Sequence, residues 1–346
     1  MIVNQAEIGA GLRPYIVAEM SGNHNGSLDT ALALVDAVAD AGAHAVKLQT
    51  YTADTMTVDV RHPRFRISEA HDLWPGQYLH QLFAQAHTPW EWHEAIFERA
   101  RSRGLAAFSS PFDRTAVEFL EKLDVPMYKI ASSEITDLPL VRLAAGTGKP
   151  VIISTGMATL GEIAAAVTAA REAGCRDLVV LSCTASYPAP PEQTNLRRIP
   201  VLADSLRVPV GLSDHTLGIG VPIAAVALGA CLIEKHVTLD RAAGGVDAAF
   251  SLEPAELRDL VTESERAWQA LGTTSIGPTE AERESLRFRR SLYVVADVRA
   301  GELVTERNVR SIRPTGGLPP DAIGSVLGRA FRHDAAMGTP LTWDLI

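Results

Sequence analysis

The sequence predicts an α/β protein, a (β/α)8 TIM barrel followed by a small β-rich C-terminal domain. Three observations carry this expectation. Short β-branched runs alternate eight times with Ala-rich segments of helical spacing before Gly272. The first run leads into Ser-Gly-Asn-His-Asn-Gly and not into the GxGxxG fingerprint of a doubly wound sheet, the alternative architecture. Beyond Gly272 the alternation breaks, and short strands and turns follow. The 346 residues suit one barrel of about 250 residues with an appendage.

In chain order, strands are expected at residues 15–19, 45–49, 106–109, 127–130, 151–154, 178–182, 208–212 and 231–235. Helices are expected at 28–41, 91–102, 115–122, 138–145, 160–173, 221–228 and 255–271. The stretch 51–89, rich in His, Arg and Pro, is too long for an ordinary βα connection and is expected to form a lid or a dimer element. The barrel domain then covers 1–271, a polar Gly/Pro-containing linker 272–285, and the second domain 286–346.

Composition narrows the classes further. With 47% hydrophobic and 21% charged residues the chain has material for a core. A net charge of −9 argues against nucleic acid as a partner. No apolar run is long enough for a membrane span, and the start lacks the pattern of a secretory signal, so a cytoplasmic location is expected. Three cysteines without CxxC spacing (Cys175, Cys183, Cys231) fit reduced thiols, not a disulfide framework or zinc ribbon. From Arg283 onward ten arginines meet seven acids, a net +3 that leaves −12 on the preceding residues, so a basic appendage could dock electrostatically on an acidic barrel. Only five lysines stand against 27 arginines, at 47, 122, 129, 149 and 235. Lysine is the residue for a compact ammonium that must fit beside a phosphate.

Barrel chemistry sits at the carboxyl ends of the strands. Those ends deliver Glu19 with Asn23, His24 and Asn25; Lys47 and Gln49; Ser109 and Ser110; Lys129 with Ser132 and Glu134; Ser154, Thr155 and Gly156; Cys183 and Thr184 with Tyr187; Ser213, Asp214 and His215; and Glu234, Lys235 and His236. A lone serine at such a place commonly caps a helix. Two lysines, hydroxyls from four strands and amides at Gly-rich turns together point to an anionic phosphate or carboxylate ligand. Lys47 and Lys129 need counter-charges when buried, and Glu19 and Glu134 are the expected carboxylates. His215 and His236 end neighbouring strands. Their imidazoles, with no cysteine expected beside them, suit an exchangeable divalent ion such as Mn2+, with Mg2+ or Co2+ also compatible.

The motifs YIVAEMSGNHNGSLDTAL, AVKLQTYTADTMT, FSSPFD, YKIASSEITDLPL, IISTGMAT, CTASYPAPP, GLSDHTLG, IEKHVTLDR and GGVDAAFSLEP run across essentially the whole chain. In them the chain resembles the sialic-acid synthases that condense phosphoenolpyruvate with an amino sugar. The C-terminal VRSIRPTGGLPP and GTPLTWDLI resemble the antifreeze-like (SAF, β-clip) domain that these enzymes carry. The resemblance implies that phosphoenolpyruvate is bound by Lys47, Ser110, Lys129, Ser132, Ser154 and Ser213, and the metal by His215 and His236. It implies a sugar site of Glu19, Gln49, Glu134, Tyr187 and Asp247, completed by Arg313 from the partner in a domain-swapped homodimer. Lys129, Glu134, His215 and His236 would carry the catalysis, with Glu134 moving a proton, the metal acting as Lewis acid on the open-chain aldehyde, and phosphate leaving by C–O cleavage.

The LWPGQYLHQLF…TPWEWH stretch resembles the branch of that family whose acceptor is 2,4-diacetamido-2,4,6-trideoxy-L-altrose, and the resemblance implies this acceptor. Where some relatives carry Asn after Cys-Thr, this chain has Ala185-Ser186, which weakens the sialate alternative. N-acetylneuraminate- or legionaminate-forming chemistry remains the runner-up. A metal-dependent lyase or isomerase acting on a phosphosugar, or a non-catalytic binding protein, would be a different class.

Overall fold

Eight parallel strands close into a barrel in the computed structural model of the chain, which describes residues 1–70 and 73–346. They are β1 (Tyr15–Glu19), β2 (Ala45–Thr50), β3 (Ala106–Pro111), β4 (Tyr128–Ile130), β5 (Val151–Ser154), β6 (Leu178–Cys183), β7 (Val210–Asp214) and β8 (Leu232–His236). β8 pairs with β1 to complete the ring. Nearly every strand residue is buried, as expected of strands filling the barrel on one side and packing helices on the other. A short hairpin, Ile2–Val3 with Ala6–Glu7, precedes the barrel.

Several strands run one or two residues past the expected ends, through Thr50, Pro111, Cys183, Asp214 and His236. An apolar run stops at the first polar residue, whereas the backbone ladder continues into the rim where those polar side chains are wanted. β7 starts at Val210 and not at 208: Pro209 has no N–H to give the ladder, and only its carbonyl serves, accepting from Val180 N at 3.1 Å.

The helix Arg198–Leu206 was not expected. Pro200 makes that stretch read as a loop, but it lies in the first helical turn, where a missing N–H costs nothing. The 51–89 stretch holds the helices Ala53–Met56 and Leu79–Ala86, and Ala86 lies directly against Gly22 of the loop after β1. Trp74 donates its indole N–H to Val246 O, beyond the end of β8, at 3.0 Å, so this insertion packs at the carboxyl end of the strands. His71 and Asp72, within the same stretch, lie outside the described residues.

The chain divides into two units, Met1–Gly272 and Thr273–Ile346. The second has its own core of Leu292, Val294, Val304, Val309, Phe331 and Leu341 around an antiparallel pair, β9 (Ser291–Val294) and β10 (Val309–Ile312). Arg313 follows β10 directly and is exposed. Among the described residues no helix is long and apolar enough to cross a membrane.

The closing of the barrel depends on Gly211 in β7. A Cβ there would stand 2.3 Å from Leu232 O of β8 and 2.7 Å from Leu181 Cδ2 of β6. Gly211→Ala should cost about 2 kcal/mol or more through overpacking, which in a unit of this size lowers Tm by roughly 4–8 °C in calorimetry. An unchanged Tm would show that the strands are not in such close contact.

Candidate active site

Strand alternation aims every second residue into the barrel, and at the carboxyl ends these residues are charged. Register sets Glu19 of β1 level with Lys47 of β2 and His236 of β8, and Ser213 of β7 level with Glu234 of β8. The result is one buried charge cluster. Glu234 Oε1 accepts from Lys129 Nζ at 3.1 Å and from Ser213 Oγ at 3.2 Å, and lies 3.8 Å from Lys47 Nζ. Lys47 also pairs with Glu19 and donates to Ser110 Oγ at 3.3 Å.

The two lysines shift in opposite directions for a physical reason. Burial works to lower both. At Lys47 it is outweighed by Glu19 and Glu234, so the ammonium is held above its ordinary range. Lys129 faces one carboxylate, with Lys47 repelling it, and is lowered. Burial would raise Glu234, but Lys129 and Lys47 pull it down to about 2.

This corrects the expected pairing in one half. Glu19 does neutralise Lys47, but the counter-charge of Lys129 is Glu234 and not Glu134. Glu234 lay in plain view at the end of β8. It was missed because a strand residue's partner across a barrel is set by closure, which no local spacing reveals. Glu134 sits in the turn Ser132–Glu134 after β4, and burial pushes its carboxyl up to about 7, with Lys129 only partly offsetting this. Glu134 Oε2 and Ser154 Oγ are buried without a hydrogen-bond partner among the described residues. Ser132 comes close to β5 because Gly156, at φ +43°, has no side chain: a Cβ there would stand 2.4 Å from Ser132 Cβ.

The two histidines converge, with ring centroids 5.3 Å apart. His215 Nδ1 is engaged with Thr184 O at 2.9 Å, which leaves Nε2 for a ligand. His236 Nδ1 is buried without a hydrogen bond among the described residues and stands 3.5 Å from Asp247 Oδ2. A buried imidazole nitrogen without a hydrogen bond, on a ring beside a second imidazole, fits a divalent ion, although among the described residues no set of three or more His, Cys, Asp or Glu is arranged to hold one. Contrary to expectation, a cysteine stands beside them: Cys183 is level with Ser213 in the β6–β7 register, and although burial would raise its thiol, His215, Ser132 and Lys129 outweigh this and hold it below the usual range.

A polar chain joins this pair to the first strand. Asp247 accepts from Ser21 Oγ, Gln49 Nε2 donates to Ser21 Oγ at 3.2 Å and to Glu19 Oε1 at 3.1 Å, and Ser21 N donates to Glu19 Oε1 at 3.0 Å. Burial opposes ionisation of Asp247, but His236 and Ser21 outweigh it and hold the carboxyl below its usual range. An aromatic wall flanks the histidines, with Tyr187 4.3 Å from the His215 ring, Phe250 5.0 Å from His236, and Trp74 6.2 Å from Tyr187. Of the residues expected at the site, those of the barrel gather at this one end. Arg313 belongs to the second unit.

The carboxyl end of the barrel thus brings together paired lysines, clustered hydroxyls and two neighbouring imidazoles. The NeuB family model matches residues 34–275 and the SAF domain model residues 289–346, and the chain belongs to the NeuB family. It is 42% identical to the pseudaminic acid synthase of Campylobacter jejuni, over 94% of this chain and 95% of that protein. It is 35% identical to the N,N'-diacetyllegionaminic acid synthase of Legionella pneumophila, over 98% of this chain and 96% of that protein. Among solved structures, the N-acetylneuraminic acid synthetase of Leptospira borgpetersenii superposes with a TM-score of 0.74 at 33% identity, covering 83% of this chain and 94% of that one.

The environment of Glu134 makes a prediction about stability. Unfolded, its carboxyl ionises near 4.5, while the folded protein keeps the proton up to about 7. The folded state binds the extra proton between these values, so this residue's contribution to stability falls as pH rises through that window. Glu134→Gln should therefore be more stable than the wild type at pH 8, by about 1–3 kcal/mol in urea unfolding, and the gain should vanish near pH 4. Equal stability at pH 8 would show that Glu134 is not held neutral by burial.

Proposed function

We propose that the chain condenses phosphoenolpyruvate with 2,4-diacetamido-2,4,6-trideoxy-L-altrose to give pseudaminic acid and phosphate. The observation that supports this best is the buried Lys47–Glu234–Lys129 cluster beside facing histidines, in a chain closer to a pseudaminic acid synthase than to a legionaminic acid synthase. In this reading Lys47 and Lys129 take the negative charge of phosphoenolpyruvate, and the hydroxyls of Ser110, Ser132, Ser154 and Ser213 orient it. The unpartnered Ser154 Oγ is then a donor awaiting an acceptor.

The open-chain sugar lies between the imidazoles and the Asp247–Ser21–Gln49–Glu19 chain, whose carboxylates fix its hydroxyls. Tyr187, Phe250 and Trp74 wall it off from water and face its apolar parts. An acceptor with no 6-hydroxyl suits a wall made mainly of aromatic faces, which offer a hydroxyl little hydrogen bonding. In this reading Glu134, protonated up to about 7, gives a proton to the aldehyde oxygen as C3 of phosphoenolpyruvate attacks the aldehyde carbon. Water adds at the cationic C2 and returns one proton to Glu134; the C2–O bond to phosphate then breaks as the new C2 hydroxyl gives its remaining proton to the departing phosphate, leaving the 2-keto acid.

His215 and His236 would hold a divalent ion, Mn2+ by preference, which when bound supplies Lewis-acid polarisation of the aldehyde. Arg313, supplied by the partner in a swapped homodimer, is assigned to the sugar on the family resemblance. Phosphoenolpyruvate is a cytoplasmic metabolite, so this reading puts the enzyme in the cytoplasm.

The test is purified protein with phosphoenolpyruvate, Mn2+ and a panel of 2-acetamido and 2,4-diacetamido sugars, reading phosphate release and product mass. The 2,4-diacetamido-6-deoxy sugar should be preferred, and equal turnover of N-acetylmannosamine would contradict the acceptor assignment. Trp74→Ala should raise KM for the preferred acceptor about 10-fold, the scale of one lost apolar contact, with KM for phosphoenolpyruvate unchanged. His215→Ala or His236→Ala should lower metal-dependent turnover by about 100-fold or more.

A further inference from the structure

Lys235 is one of the chain's five lysines, adjoins a proposed metal ligand, and has no part in the chemistry above. It points away from the substrate cluster. While Glu234 meets Lys129 inside the barrel, Lys235 Nζ reaches Asp214 Oδ2 at 2.5 Å and also donates to Thr216 O. Asp214 in turn accepts from Thr216 Oγ1 at 2.9 Å and from Thr216 N at 3.2 Å. Lys235 and Asp214 are partners in the β7–β8 register and are 0% and 2% exposed. Glu256, on the helix Pro254–Leu271 packed outside, contributes a further favourable charge to Lys235.

This pair spans two adjacent strands at the residue immediately before each imidazole: Asp214 precedes His215, and Lys235 precedes His236. Thr216, bonded to both partners, fixes the turn on the far side of His215. A buried ion pair of this kind is a poor source of stability, since well-packed apolar residues often serve as well, but it is directional and allows one relative placement of the strand ends. The compact ammonium also matters. It meets a carboxylate and a backbone carbonyl together in a closed space, where the larger planar guanidinium of arginine would need a different geometry.

We propose that the Asp214–Lys235–Thr216 cluster is a positioning device that sets the separation and orientation of His215 and His236 for a divalent ion. It acts from the outer face of the barrel, through the backbone of the two strands, and touches neither substrate nor metal. This inference rests on the metal site proposed above.

The test uses the full chain stripped of metal. Mn2+ binding is followed by the loss of the free-ion electron paramagnetic resonance signal, and thermal unfolding of the metal-free protein is measured in parallel. The double variant Asp214→Leu with Lys235→Met removes both charges together and so avoids leaving one buried alone. Its metal-free Tm is expected within a few degrees of the wild type, with Mn2+ affinity about 10- to 100-fold weaker, the range for loss of groups that orient metal ligands. Wild-type Mn2+ affinity in the double variant would overturn the proposal. Failure of the double variant to fold would also overturn it, by showing the pair to be purely structural. Absence of Mn2+ binding by the wild-type protein would instead sink the metal site itself.

Discussion

The candidate site is organised around the bond network of Glu234. Two ammonium groups inside one barrel repel each other and lose their hydration, and either alone would be too costly to bury. Glu234 answers both, bonding Lys129 and standing close to Lys47, while Glu19 takes the other side of Lys47. The four side chains come from β1, β2, β4 and β8, so the network forms only when the barrel has closed. The same closure lays the hydroxyls of Ser110 and Ser213 against it. An incoming trianion enters an arrangement in which Glu19 and Glu234 already balance the lysines. Under the proposed function, the positive charge of a divalent ion held by the histidines would strengthen the binding of phosphoenolpyruvate.

Strand alternation lets one rim hold two charge systems back to back. On β7 and β8 and just beyond β7, Ser213, His215, Glu234 and His236 meet the other site residues, while Asp214 and Lys235 close an ion pair of their own. The inner system carries groups without a hydrogen-bond partner among the described residues, among them Ser154 Oγ, Glu234 Oε2 and His236 Nδ1. The outer system is saturated: Asp214 makes three hydrogen bonds of known partners, all to Thr216 and Lys235. An unsatisfied interior backed by a satisfied support is the arrangement expected of a preorganised site.

Much of this was legible in the sequence, and the parts that were not share a cause. The eight strand–helix units show themselves through local periodicity. The polar strand ends mark the rim because barrel chemistry has a fixed address. Lys47, Lys129, His215 and His236 stood out by residue type and place. What could not be read was who meets whom across the barrel. Glu234 opposite Lys129 and Cys183 beside His215 are products of closure and register, which depend on residues scores of positions apart. The helix Arg198–Leu206 was hidden by Pro200, a residue that breaks helices everywhere except in the turn where it lies. The insertion advertised its length but not its destination, which is set by single contacts such as Trp74 to Val246.

This rim is proposed to join phosphoenolpyruvate to a diacetamido sugar and to expel phosphate from carbon. That proposal is tested most directly by phosphoenolpyruvate labelled with 18O in the bridging C–O–P oxygen, incubated with the Mn2+-loaded protein and the 2,4-diacetamido-6-deoxy sugar. Mass spectrometry of both products should find a nonulosonic acid without the bridging label and phosphate carrying it. Label retained in the sugar acid, or phosphate released with no new carbon–carbon bond, would contradict the account.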